Sequence, residues 1–295
     1  MPDQAKSTKG SNSPTQTILT PKPKKPKPKI QRGLQVELGD PTILLIAPHG
    51  VMGDDDRTDI VAFEAQQQLD CYAIINRKVK RNKYDLNLFK SASNHPTFIK
   101  KLTEAVYKPK FKLAVWIHGG DEKGEKWEGA IEANEFECEP QDINAFIGYG
   151  QGRKPNLPKI KPNDRPTAKE ETVEALCKHL TEAGLVAVKT GRGAPSYRAH
   201  HPDNMCQWLK KQGFSLDKAE SIQIEIRNSG FRDSDENARK TATILTQALV
   251  QLFPHYAEKR DANLAKQAYK KLSGLFKKHI TSFMLEAGQY IIDNF

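Results

Sequence analysis

Sulfur chemistry is nearly absent from this chain. Its 295 residues include four cysteines, Cys71, Cys138, Cys177 and Cys206, and no two of them form a CxxC pair. That spacing excludes a disulfide framework and a cysteine-built zinc site, and it reads as reduced thiols in a cytoplasmic compartment. Long apolar runs are missing too. No segment reaches the roughly 18 consecutive apolar residues of a membrane span, and residues 1–16 contain no apolar run of the secretory kind. A soluble, cytoplasmic protein without a membrane partner is expected. The third scarcity is of acid near the start: within residues 1–33, Asp3 is the sole carboxylate against eight lysines and arginines.

That imbalance locates the charge. The formal net charge is +10, and about seven of those units belong to residues 1–33, so residues 34–295 are close to balanced and lack the broad basic character of a nucleic-acid-binding domain. The stretch PKPKKPKPK alternates proline with lysine. It lacks amide donors, repels itself and has no apolar face to bury, so residues 1–33 are expected to be a disordered or polyproline II tail. The tail is either merely solvated or a weak site for an anionic partner.

Residues 34–295 are expected to form one α/β domain with helices at its C-terminus. Branched apolar runs at 42–47, 72–75, 112–117, 145–149, 185–189 and 222–226 read as strands, alternating with helical patterns at 59–69, 97–107, 169–183 and 236–252. Thr58 is the expected N-cap of the first helix, and Gly184 marks the end of the third. A longer amphipathic segment at 257–290, broken at Gly274, closes the chain and belongs to the core or to a dimer surface. A polar, glycine-bearing insertion occupies 119–141, and there is no internal repeat. The alternation predicts a mostly parallel or mixed central sheet flanked by helices, with functional residues beyond the strand C-termini.

Three such ends carry chemistry. TILLIAPH ends in His49, KLAVWIH ends in His118, and GDDDRTD follows the first histidine. Asp54, Asp55 and Asp56 repel one another, and the helix start near Thr58 offsets that only in part. A divalent cation would complete the compensation, and two imidazoles with one carboxylate and an open position suit hydrolytic zinc. Asp55 is the first choice of carboxylate because it precedes the helix, Asp59 is the second, and Asp56 stays open. The plain alternatives are core histidines and a solvated, helix-capping acidic loop. In SIQIEIR, Ile222, Ile224 and Ile226 alternate with Gln223, Glu225 and Arg227. Glu225 then either joins an exposed edge ion pair or faces the site as general base. Arg77, Arg81, Asp85 and Asn87 occur in INRKVKRNKYDLN, and Arg192 in KTGRGAPSYR. Arginine's planar fork suits a substrate carboxylate, so Arg77, Arg81, Arg192 and Arg227, with Asn87, are the substrate-binding candidates.

The order APHG, DDRTD, INRKVKRNKYDLN, WIHGG, TGRGAPSY and IQIEIR, over roughly residues 42–248, resembles the N-formylglutamate amidohydrolase family. These metallohydrolases are related in fold to zinc carboxypeptidases and poly-γ-glutamate hydrolases. The resemblance implies an α/β, three-layer phosphorylase/hydrolase-like fold with a mixed central sheet. It also implies Zn2+ held by His49, an aspartate of DDRTD and His118, with Glu225 as the catalytic glutamate. Two departures stand out: Leu88 occupies the place of an arginine in the family's DLNR-like segment, and the loop between His49 and the aspartates is short, leaving Asp55, Asp56 and Asp59 all open. The expected activity is zinc-dependent hydrolysis of an amide in a small acylamino acid. The alternatives are a zinc carboxypeptidase or γ-glutamyl peptide hydrolase acting on a short peptide, and a non-catalytic binding protein that uses its basic tail.

Overall fold

The computed structural model describes residues 33–51, 53–120, 127, 142–150, 166–190, 197–199 and 201–294. All of the expected tail except Gly33, together with Cys138, Arg192 and nearly all of the insertion at 119–141, lies outside them.

A seven-stranded sheet is the scaffold. In chain order its strands are β1 (Leu34–Glu37), β2 (Asp40–Ala47), β3 (Cys71–Asn76), β4 (Leu113–Gly119), β5 (Ala145–Gly148), β6 (Ala187–Lys189) and β7 (Glu220–Ile226), and their spatial order is β1-β3-β2-β4-β7-β5-β6. β3, β2, β4 and β7 run parallel, β1 joins β3 antiparallel, and β5 turns against β7 while running parallel to β6. The sheet is therefore mixed. The helices are α1 (Thr58–Leu69), α2 (Phe89–Ala92), α3 (Phe98–Val106), α4 (Glu170–Glu182), α5 (Trp208–Lys211), α6 (Asp235–Leu252) and α7 (Ala257–Asn294).

Both faces of the sheet are covered, which is why β2 reads as an unbroken apolar run: Ile43 through Ala47 are fully buried. Alternate side chains divide between two cores. Ile43, Leu45, Val115, Ile117, Ile222, Ile224 and Ile226 pack with α1, α4 and α6, while Leu44, Ile46, Ile74, Ala114 and Trp116 pack with α3 and the segment around Met205–Leu209. This gives three layers, helices on sheet on helices. In β7 the polar set Ser221, Gln223 and Glu225 is buried on the second face. Glu225 is thus not on an exposed edge.

The ten expected strands and helices from β2 to α6 agree with the structure within two residues at each end. Three differences have local causes. β1 is a four-residue edge strand, too short for its alternation to register in sequence. Arg57, in a left-handed conformation (φ 62), is the residue before α1, and Thr58 spends its hydroxyl on the Asp55 carbonyl (2.9 Å) instead of capping. α7 runs unbroken through Gly274, because a glycine costs a helix only about 1 kcal/mol. The start of α7 is fastened to β2, where Asp40 accepts hydrogen bonds from Tyr256 Oη (3.0 Å) and Lys259 Nζ (3.1 Å). Among the described residues no helix is long and apolar enough to cross a membrane.

Candidate metal centre

Parallel strands bring their C-terminal ends to one edge of the sheet, and β2, β4 and β7 deliver His49, His118 and Glu225 there. The placement of His118 against Glu225 is set by register, since the two residues are direct partners in the β4–β7 pair. Successive residues point to opposite faces, so both side chains stand on the face shared with Trp116 and Gln223.

His49 lies two residues past β2, and its loop folds tightly back. The His49 carbonyl accepts from Val51 N (2.6 Å) and Asp55 N (3.1 Å), and the Asp55 carbonyl accepts from Thr58 N (3.3 Å) at the start of α1. Gly50 makes this possible, because a Cβ there would come within 2.4 Å of the Asp59 Cβ. The result places Asp55 between the two imidazoles. Its Oδ2 is 3.1 Å from His118 Nδ1 and 3.4 Å from His49 Nδ1, and the ring centroids are 5.1 Å apart. All three side chains are buried, and their potential ligand atoms lie within 4.8 Å of one another.

These residues fit a metal. With zinc bonds of about 2.0–2.1 Å, the edge of a tetrahedron is roughly 3.3–3.4 Å, close to both Asp55–imidazole separations. The Nε2 of His49 is turned away toward Asp85 Oδ1 (2.8 Å), which itself accepts from Asn87 N (2.9 Å). A carboxylate behind a histidine fixes the ring and makes the other nitrogen a better donor to a cation. His118 differs: its Nε2 is buried and meets no hydrogen-bond partner among the described residues.

The local charges reflect burial in competition with pairing. Burial alone would raise the Asp55 carboxyl, but the hydrogen bonds and charges of His118 and His49 hold it well below the usual carboxylate range. Burial pushes the His118 imidazole down. For His49 burial acts in the same direction, and the hydrogen bonds to Asp55 and Asp85 outweigh it to give a net rise. Arg81 Nη2 lies 2.5 Å from His49 Nδ1, the nitrogen that also faces Asp55, while Nε2 faces Asp85. Burial, reinforced by the Asp55 charge, lifts Glu225 to about 8.

Glu225 is held by a polar chain that enters from the side. Gln223 Nε2 donates to its Oε1, and Asn204 Nδ2 donates to Gln223 Oε1 (3.1 Å). Asn204 forms an isolated bridge with Leu88, and Met205 N donates to the Asn87 carbonyl (2.8 Å). Sequence reading named Gln223 only as part of the polar face of β7 and missed Asn204 altogether. It also gave Asp85 no role, although the DLN tripeptide after an arginine-rich strand end is a visible carboxylate.

Arg81 is the substrate candidate that touches the cluster, and it spans the open side. Its Nη2 is 2.8 Å from Asp55 Oδ1, and its side chain is 45% exposed. Arg77 and Asp59 are instead paired with each other, Arg77 also donating to Gln35 (2.9 Å). Asp56 accepts from Gly53 N (2.6 Å). The cluster therefore includes Asp55, and neither Asp56 nor Asp59 is part of it. Asn87 carries a buried Oδ1 with no hydrogen-bond partner among the described residues. Arg227 directly follows β7 and bonds through its backbone to Asn144 (2.9 Å). Leu88 is a partly exposed apolar residue.

No family model and no curated protein matches the chain. Among solved structures, the chain is similar to N-formylglutamate amidohydrolase from Ralstonia eutropha JMP134, with 11% identity, 77% of this chain and 98% of that one covered, and a TM-score of 0.49. It is also similar to a bacteriophage poly-gamma-glutamate hydrolase (13% identity, 75% and 89% covered, TM-score 0.44). A third similar structure is a metallo-carboxypeptidase from Burkholderia cenocepacia (11% identity, 78% and 61% covered, TM-score 0.42).

Proposed function

We propose that the protein is a zinc-dependent hydrolase of an amide bond in a small acylamino acid or glutamyl-type substrate. The observation that carries this reading is the convergence of His49, Asp55 and His118 within 4.8 Å, with Glu225 in register beside His118. Zinc bound there would supply a Lewis acid for the amide carbonyl and a lowered pKa for water.

The protein's own groups do the rest. His49, Asp55 and His118 would hold the ion, and Asp85 fixes the His49 ring from behind. Glu225 takes the proton from the attacking water at a carboxylate oxygen and returns it to the leaving nitrogen, so one group serves as base and then as acid. Gln223 holds one of the two Glu225 oxygens, which leaves the other for the proton. Arg81 anchors the substrate carboxylate through its planar fork.

Zinc analysis of the purified protein, combined with a panel of N-formyl, N-acyl and γ-glutamyl peptide substrates, tests the reading. One zinc per chain with turnover of a small acylamino acid is the expected result. Turnover confined to peptides would move the activity to a carboxypeptidase or γ-glutamyl hydrolase. A protein without stoichiometric zinc and without turnover of any panel member would refute the enzyme.

A further inference from the structure

Arg232 lies six residues past β7 and is fully buried. A guanidinium has five N–H donors in one rigid plane, and removing it from water is tolerated only where those donors are met. Here they meet backbone carbonyls from three separate segments. Nε donates to Ile226 O (3.0 Å), Nη1 to Asp56 O, and Nη2 to Gly120 O (3.3 Å). Ile226 follows Glu225, Asp56 follows Asp55, and Gly120 stands two residues past His118.

One planar group therefore touches the chain immediately beyond a ligand from the acidic loop, a ligand from β4 and the glutamate of β7. Two further contacts strengthen the junction. Gly120 N also donates to Ile226 O (2.7 Å), and the Arg232 carbonyl accepts from Arg57 Nη1 (3.2 Å) at the entrance to α1. Gly119 leaves the guanidinium its room, since a Cβ at that position would lie 2.5 Å from Nη2 and 2.8 Å from Cζ. Lysine cannot reproduce the arrangement, because a single ammonium has no planar fork.

We propose that Arg232 is the positioning residue of the metal centre, setting the mutual spacing of Asp55, His118 and Glu225 through the backbone without touching metal or substrate. This rests on the zinc-hydrolase reading above. The two are separated by measuring zinc affinity of the full chain, by competition with a chromogenic chelator, in wild type, Arg232→Lys, Gly119→Ala and Leu176→Ala. Gly119→Ala displaces the guanidinium while retaining Arg232. Leu176→Ala, in the α4 core away from the site, lowers stability alone.

Arg232→Lys and Gly119→Ala are expected to bind zinc at least about tenfold more weakly, the effect typical of groups that orient ligands from behind. Leu176→Ala is expected to keep wild-type affinity despite a lower Tm. Wild-type affinity in Arg232→Lys overturns the proposal, as does the same result in Gly119→Ala should the lysine variant fail to fold. An equal loss in Leu176→Ala also overturns it, by reducing the effect to stability. A wild-type protein that binds no zinc sinks the zinc-hydrolase reading and this proposal with it.

Discussion

The guanidinium of Arg81 lies 2.8 Å from Asp55, placing a fixed positive charge at the open side of the donor cluster. A divalent ion and Arg81 compete for the same negative site, so Arg81→Ala is expected to bind zinc more tightly than wild type. The same substitution removes the carboxylate anchor and raises KM for an acylamino acid by about 2 kcal/mol, roughly thirtyfold. Comparing the free acid with its carboxamide checks the assignment: an equal rise in KM for both would show that Arg81 does not hold the carboxylate.

His118→Ala removes one of two imidazoles and leaves Asp55 with a single histidine partner. Loss of stoichiometric zinc together with loss of hydrolysis is expected, measured by elemental analysis and turnover on one sample. Full activity in this variant would remove the metal from the mechanism.

Glu225→Gln preserves shape while abolishing proton transfer. It should retain zinc and lose about 10²- to 10⁴-fold in kcat. Loss of zinc at the same time would make Glu225 a ligand.

Glu225 also ties stability to pH in the metal-stripped protein. Its carboxyl is raised from 4.5 to about 8 on folding, so the contribution to stability is fully present below about 4.5 and is lost as pH rises through 8. Thermal melts of metal-stripped protein between pH 5 and 9 should show Tm falling with pH, and Glu225→Gln should flatten that decline. Parallel curves for the two proteins would contradict the buried, neutral carboxyl.

Asp85 orients His49 from behind. Asp85→Ala should weaken zinc binding by about 10- to 100-fold and leave the fold intact, as followed by chelator competition and circular dichroism. Unchanged affinity would mean that the His49 ring is held by packing alone.

The places of His49, His118 and Glu225 at strand ends were legible because His49 and His118 follow unbroken apolar runs and Glu225 belongs to an alternating one. Asp55 was legible for a related reason, as the acid just ahead of a helix start. Asp59 could not be separated from it by pattern, since its pairing with Arg77 joins residues 18 apart through folding. Arg232, Asn204 and the bond from His49 to Asp85 stayed hidden because their partners are backbone carbonyls or groups from distant loops, and no local periodicity encodes such contacts. The left-handed Arg57 was hidden too, as only the closure of the Asp55 loop forces that conformation.

A hydrogen-bonded path runs from His49 through Asp85 and Asn87 to Met205, and from its neighbour Asn204 through Gln223 to Glu225. Damage at either end should therefore not sum. Once Asp85→Ala has slackened the 85–89 segment, Gln223→Ala has less order left to destroy, and the pair should couple in a double-mutant cycle although the two side chains never meet. The cluster and the glutamate are then expected to answer substitution as one unit, with the cost of a change at one end depending on the state of the other.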